Sequence, residues 1–281
     1  MDQNYEKVGF IGAGNMAEAI AGALIDSGVY KSKNIMMSDI NTDRLDFIKN
    51  TYGVEITTNS DDLVMNSDII ILSVKPQVME KVLDNICSSF ETNKRKLFIS
   101  IAAGIKSEKI ESYLYNNITD EAKSLLPVVR VMPNTPSMVL SGMSGMSVNN
   151  HCTDSDVEVT RVILESMGKV IQVKEEEIDA ITAMSGSGPA YIFYFIESMM
   201  QAGVDMGFSD AVTKLLTLET FKGALKLMEK SGKSPAVLRK NVTSPGGTTE
   251  AALKVMEDRN IKNSIVDAIK TAKRRSIELS G

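Results

Sequence analysis

At 281 residues, 43% hydrophobic and 24% charged, the chain is long enough for one large domain or two modest ones, with the composition of a water-soluble protein. Its net charge of −5 argues against a nucleic acid or an anionic membrane as partner. One histidine and two cysteines exclude a multi-histidine metal site, a zinc cluster and a disulfide framework, so no metal is expected.

The N-terminus, "MDQNYEK", is polar and lacks the basic start and apolar core of a signal peptide. A strand is expected over Val8–Ile11, followed at once by Gly12-Ala-Gly14-Asn-Met-Ala17 and a helix over Met16–Ile25. Strand, glycine turn and helix in that order form the GxGxxG/A fingerprint of a dinucleotide-binding loop. Gly12 permits the tight turn and Gly14 lets a pyrophosphate approach the backbone. Ala17 allows helix to pack closely on strand, and the helix dipole favours the anion. The bland alternative is a glycine turn used only for packing.

The second strand, Ile35–Ser38, runs into Asp39. An acidic residue there hydrogen-bonds the ribose 2′-OH and repels a 2′-phosphate, which favours NADH. As an alternative, Asp39 caps a helix within "SDINTDR". Arg44 lies close enough in sequence to reach a 2′-phosphate, so NADPH stays open. A third strand, Ile69–Val74, ends in "SVKP" (Ser73–Pro76), before a helix expected over Val78–Ser88. Ligands of open α/β sheets bind outside the carboxyl ends of the strands, so Lys75 is placed at the cofactor cleft, unless it is simply solvated.

Strands at Leu97–Ile101 and Val128–Met132 follow. The second enters "VRVMPNTP" (Val129–Pro136), where two prolines stiffen the exit and Asn134 and Thr135 offer short hydrogen-bonding groups to the same cleft. His151, in "NNHCTDSD", reads as a loop residue, which disfavours Ser-His-Asp hydrolysis. Cys87 and Cys152 fit a reducing cytoplasm, the expected location. A helix over Val157–Met167 and a strand over Val170–Val173 complete the alternation. Short unbroken apolar strands alternating with amphipathic helices predict an α/β, Rossmann-type, doubly wound and mostly parallel sheet over residues 1–173.

Residues 174–281 read as an all-helical domain. Helices are expected near 176–184, 189–206, 209–230, 234–240 and 248–279, the last broken around Asp258–Asn260. "MSGSGPAYIF" (Met184–Phe193) reads as a turn feeding a helix, with Gly186 and Gly188 flexible and Pro189 at the first helical position. Ala190–Ala202, "AYIFYFIESMMQA", is apolar on nearly every face. It is either a central core helix or, as favoured here, buried against a second subunit, because so small a domain has little interior of its own. Its apolar run "YIFYFI" meets Glu197 at once, far short of the roughly 20 residues of a membrane span, so no membrane partner is expected.

In "TSPGGTTEAAL" (Thr243–Leu253), Pro245 fixes a turn, Gly246 and Gly247 can take positive φ, and Thr248, Thr249 and Glu250 open a helix. As a site, it would hold a small anion such as a carboxylate, with the threonine hydroxyls orienting a nearby polar atom. As mere structure, it is a helix cap.

Taken in order and spacing, "GFIGAGNMA", "SVKP", "RVMPNTP", "MSGSGPAYIF" and "VTSPGGTTEAAL" resemble the blocks of the pyrroline-5-carboxylate reductase family over essentially the whole chain. The resemblance implies a nucleotide domain plus a helical dimerisation domain. It also implies interlocked homodimers, five of which form a decamer in some members. The substrate it implies is L-1-pyrroline-5-carboxylate, reduced to L-proline by NADPH or NADH; the family more often uses NADPH, against which Asp39 weighs here. The implied cofactor contacts are Gly12, Gly14, Asn15, Met16, Ser38, Asp39, Val74, Lys75, Pro76 and Asn134. Lys75 and Asn134 fall on the nicotinamide side. Ser244, Gly246, Gly247, Thr248 and Thr249 would hold the substrate carboxylate, with Thr249 bonding the ring nitrogen, so that Thr249 and Lys75 are the candidate catalytic residues.

Two other readings compete. A β-hydroxyacid dehydrogenase shares this layout but needs a lysine on the helix equivalent to Pro189–Met206, which contains none. A non-catalytic nicotinamide-binding sensor would keep Gly12–Ala17 without needing "SPGGTT".

Overall fold

Hydrophobic strands buried on both faces organise the first part of the chain. The computed structural model describes residues 5–87 and 94–280. Ser88, the end of one expected helix, lies outside them, as do residues 1–4 and Gly281. The strands are β1 (Val8–Ile11), β2 (Ile35–Ser38), β3 (Glu55–Thr57), β4 (Ile69–Leu72), β5 (Leu97–Ser100), β6 (Val128–Met132), β7 (Gly142–Val148) and β8 (Gly168–Gln172). They form one sheet of order β3-β2-β1-β4-β5-β6-β7-β8, parallel throughout except for the antiparallel pair β6/β7. Sequence order reverses between β1 and β4, which is where ligands of doubly wound sheets bind.

The helices of this region are α1 (Asn15–Asp26), α2 (Thr42–Tyr52), α3 (Ser60–Asn66), α4 (Pro76–Cys87), α5 (Ser107–Leu114), α6 (Asp120–Lys123) and α7 (Asp154–Glu165). Alternation along the strands divides the core between two layers. Val8, Phe10, Ile69 and Ile71 pack with Ile20 and Leu24 of α1 and Ile163 of α7. Ile11, Ile70 and Leu72 pack with Leu63, Leu83 and Ile110 on the other face.

Several expectations change in detail. The strand expected over Ile69–Val74 stops at Leu72, because Ser73 turns its hydroxyl back onto the carbonyls of Ile11 and Gly12 at 2.9 and 2.7 Å. The last strand runs Gly168–Gln172 rather than Val170–Val173. Strands β3 and β7 were not expected at all. The first is a three-residue edge strand, and the second, "GMSGMSV", has no apolar run. Gly142 and Gly145 are needed there for clearance: a Cβ on Gly145 would sit 2.8 Å from Ile181.

The chain then becomes helical: α8 (Ile178–Ile181), α9 (Gly188–Asp205), α10 (Asp210–Ser231), α11 (Pro235–Asn241), α12 (Thr248–Asp258) and α13 (Ile261–Ser280). Between α8 and α9, Thr182–Gly186 forms a π-helical turn closed by the Ser187 N–H on the Thr182 carbonyl at 2.8 Å. The expected flexible turn at Gly186 is therefore wound helix. Asn260, with φ of 53°, makes the expected break before α13.

The chain divides into two units, Met1–Ser187 with Ala272–Gly281, and Gly188–Thr271. In the first unit, the end of α13 is fastened by Ser276 and Ser280, whose hydroxyls donate to the buried Asp179 carboxylate at 2.6 and 3.3 Å. The second unit has almost no interior. Its buried residues are Gly203, Thr213 and Thr217, none of them a large apolar side chain. Phe193, Tyr194, Leu215 and Leu216 are each more than half exposed in the single chain. Ala190–Ala202 is thus no core helix of this chain.

Candidate active site

The glycine loop is built as its residue types require. Gly12 has φ of 98°, and a Cβ there would lie 2.9 Å from the Ser73 carbonyl oxygen. Its N–H donates to the Ser38 carbonyl at 2.8 Å, which ties the end of β1 to the end of β2. Gly14 is different. A Cβ on it would meet no atom of this chain within 4 Å, so folding gives no packing reason for a glycine. It forms the N-cap of α1 with no side-chain cap, so the first-turn amides of Asn15, Met16 and Ala17 have no partner within the helix. An uncapped helix N-terminus with clearance at its cap fits a dinucleotide pyrophosphate.

Around this loop lies a charged clamp. Asp39 Oδ2 accepts the Ala13 N–H at 2.8 Å, and Oδ1 accepts the Asn41 N–H at 3.0 Å. The α2 cap is Asn41, whose side chain accepts from the Arg44 N–H, so the capping alternative for Asp39 fails. Arg44 Nε donates to the Ala13 carbonyl at 2.7 Å, its terminal nitrogen pairs with Glu18 Oε2, and its guanidinium lies 5.2 Å from the Phe47 ring centre. Tyr52 donates to the other Glu18 oxygen at 3.0 Å. Burial, then the Glu18 hydrogen bond, pushes the Tyr52 phenol up, so it stays a donor. Gly22 gives the Tyr52 ring room: a Cβ there would sit 3.2 Å from it.

At the β4 exit, Lys75 is exposed, while Val74 and Pro76 are half-buried. Ser38 is buried, its hydroxyl 3.3 Å from that of Ser60. Asn134 is more committed than expected. Its oxygen accepts the Met143 N–H at 2.9 Å, and its nitrogen donates to the Ser185 carbonyl and hydroxyl at 3.3 and 3.1 Å. It joins the end of β6 to the start of β7 and to the π-helical turn. Sequence reading missed Ser73, Ser185, Glu18 and Tyr52, whose roles depend on partners far along the chain.

A separate cavity of about 260 Å³ is lined by Ser107, Glu111, Asn149, His151 and Glu175 and touches none of the expected site residues.

In the helical unit, Pro245-Gly-Gly leads into α12. Gly246 has φ of 71°. Its N–H donates to Glu250 Oε2 at 2.8 Å, and the Gly247 N–H donates to the Ser244 carbonyl at 3.0 Å. Gly247 is the N-cap and carries no side-chain cap, so the amides of Thr248 and Thr249 head the helix uncapped. Two of the five expected substrate contacts, Gly246 and Gly247, therefore already spend their amides within the loop.

Comparison with known proteins settles the family. Residues 175–279 match a model described as pyrroline-5-carboxylate reductase dimerisation, and residues 7–104 one described as NADP oxidoreductase, coenzyme F420-dependent. The chain is 36% identical to pyrroline-5-carboxylate reductase 2 of Bacillus subtilis, over 98% of this chain and 95% of that one. The chain belongs to the pyrroline-5-carboxylate reductase family. It is thereby an NAD(P)H-dependent oxidoreductase by family. The Arabidopsis thaliana enzyme of that name is 38% identical over 98% of this chain and 95% of its own. The solved structure of the Coxiella burnetii reductase superposes with a TM-score of 0.87 at 35% identity, covering 99% of this chain and 100% of that one. The Plasmodium falciparum reductase, solved with NADP bound, gives 0.85 at 31% identity over 99% of both chains.

Proposed function

We propose that this chain reduces L-1-pyrroline-5-carboxylate to L-proline with NADH or NADPH. The observation that carries the reading is the clearance at Gly14 before the uncapped α1, in a chain that belongs to this family. The nicotinamide would supply a hydride to the C=N carbon. Gly12, Gly14, Asn15 and Met16 would receive the pyrophosphate, and Ser38 and Asp39 the adenosine ribose. Val74, Lys75 and Pro76 would border the nicotinamide side, and Asn134 would act by holding its loop in place. Thr248 and Thr249 amides, with the Ser244 hydroxyl, would cradle the substrate carboxylate, and Gly246 and Gly247 would shape the loop that presents them. The Thr249 hydroxyl would orient the ring nitrogen, which needs a hydrogen-bonding partner rather than a strong acid as it gains a proton.

Residues 1–173 would form the nucleotide domain, and 174–281 the helical domain that pairs two copies, although the compact units divide later, at Ser187, and count Ala272–Gly281 with the first. Its uncovered apolar side chains support a homodimer, with a decamer of five dimers as the larger assembly. Among the described residues no helix is long and apolar enough to cross a membrane. We place the enzyme in the cytoplasm, with a small-molecule substrate and no nucleic-acid or membrane partner. Steady-state kinetics with pyrroline-5-carboxylate and each cofactor tests the reading. Substrate-dependent oxidation of the cofactor is expected; cofactor binding without turnover would favour the sensor alternative.

A further inference from the structure

The two charges that border the ribose end of the glycine loop are not equivalent. Asp39 keeps its negative charge at the loop, on the N–H groups of Ala13 and Asn41. Arg44 is already engaged along one edge. Its Nε is held by the Ala13 carbonyl, one of its two terminal nitrogens by Glu18, and its face by Phe47. Glu18 is itself fixed, because Tyr52 occupies its other oxygen and Gly22 lets that ring come close. Both side chains of the pair are about three-quarters covered, at 23% and 24% exposure, so water weakens the pairing less than at an open surface. A 2′-phosphate arriving here would meet one guanidinium already paired with Glu18 and two carboxylates.

We propose that Glu18 is a specificity-determining residue: by occupying Arg44 it withholds the cation a 2′-phosphate needs, and makes this chain prefer NADH over NADPH. The inference rests on the nucleotide-binding reading above and names its cofactor. Glu18 was not among the residues expected to bear on it; Arg44 was, as a reach for a 2′-phosphate.

The test is the dissociation constant of each reduced cofactor, measured by calorimetry on the full chain without substrate. The native chain is expected to bind NADH more tightly than NADPH by about tenfold or more, the size of one well-placed charge effect. Glu18→Gln keeps a partner for Tyr52 but drops the charge. It should tighten NADPH by about tenfold, leave NADH within about twofold, and show a gain that shrinks with added salt. The gain should vanish in Glu18→Gln/Arg44→Gln, since it acts through Arg44. A native preference for NADPH overturns the inference without needing any variant. So does an equal change for both cofactors in Glu18→Gln, or a gain that survives loss of Arg44. A native chain that binds neither nucleotide removes the nucleotide-binding reading as well, whereas equal binding of both removes this inference alone.

Discussion

Asp39 and Arg44 grip opposite polar groups of the same residue, Ala13. The carboxylate accepts its N–H at 2.8 Å, and the guanidinium donates to its carbonyl at 2.7 Å. The charge that would discriminate between cofactors therefore also holds the loop proposed to bind them. Asp39→Asn removes the charge but retains one acceptor, and should lower the NADH-to-NADPH preference in kcat/KM several-fold while both cofactors still bind. Asp39→Ala loses both backbone bonds and should weaken NADH as well. An unchanged ratio in Asp39→Asn would show that Asp39 does not set the choice.

The two loop glycines should fail in different ways. Gly12→Ala forces a Cβ against the Ser73 carbonyl at a φ of 98° and should lower stability by about 1–3 kcal/mol, read from urea unfolding. Gly14→Val adds a Cβ that meets no other part of this chain within 4 Å and should cost less stability than Gly12→Ala, yet bind cofactor at least about tenfold more weakly, because its side chain takes the approach to α1. Unchanged cofactor affinity in Gly14→Val would remove the pyrophosphate site from α1.

Thr249 stands in the first turn of α12, beyond the uncapped Gly247. Thr249→Ala should reduce kcat/KM for pyrroline-5-carboxylate by about ten- to a hundredfold, as expected for one lost orienting hydrogen bond, with cofactor affinity unchanged. Equal loss of cofactor binding would show that Thr249 is not specific to the substrate.

Helices without a core need a partner. Phe193 is 58% exposed and Leu216 51% in the single chain. Phe193→Glu with Leu216→Glu should convert the assembly to monomers in analytical ultracentrifugation and lower helical circular dichroism, because nothing else buries α9 and α10. A native chain that sediments as a monomer at micromolar concentration would contradict this.

Away from the loops, Arg130 is 2% exposed and pairs with Glu175 at 2.8 Å; Glu175 also accepts the Ser107 N–H and hydroxyl, each at 3.1 Å. Burial alone would raise the Glu175 carboxyl, but the Arg130 and Ser107 bonds outweigh it and hold it below the usual carboxylate range. A carboxyl depressed by folding adds stability above its unfolded value, about pH 4.3, and loses it as pH falls through the folded one. Glu175→Gln should therefore flatten the acid limb of the stability profile. At pH 7 it should cost about 2–3 kcal/mol, below the value for a fully buried pair because Glu175 is 34% exposed. An acid limb identical to the native one would exclude this pair as its source.

Local sequence was enough for the elements whose signal is local. Apolar runs such as Ile69–Leu72 marked central strands, and Gly12–Ala17 marked the turn between strand and helix. The motif blocks carried the family. Strand β7 was illegible because glycine, serine and methionine have no period of their own; it is a strand only because β6 and β8 flank it. The turn at Gly186 was misread because the bond that winds it spans five residues.

What the sequence determined by itself was the alternation of strand and helix, the two glycine turns and the family. What only the tertiary structure decided was how charges separated in sequence are used. Glu18, Arg44 and Tyr52 come from α1 and α2, and fold into one network at the Ala13 backbone. No spacing rule ties these positions together. A side chain's charge is read from its residue type, but whether that charge is free or already paired depends on what folding brings within hydrogen-bond distance.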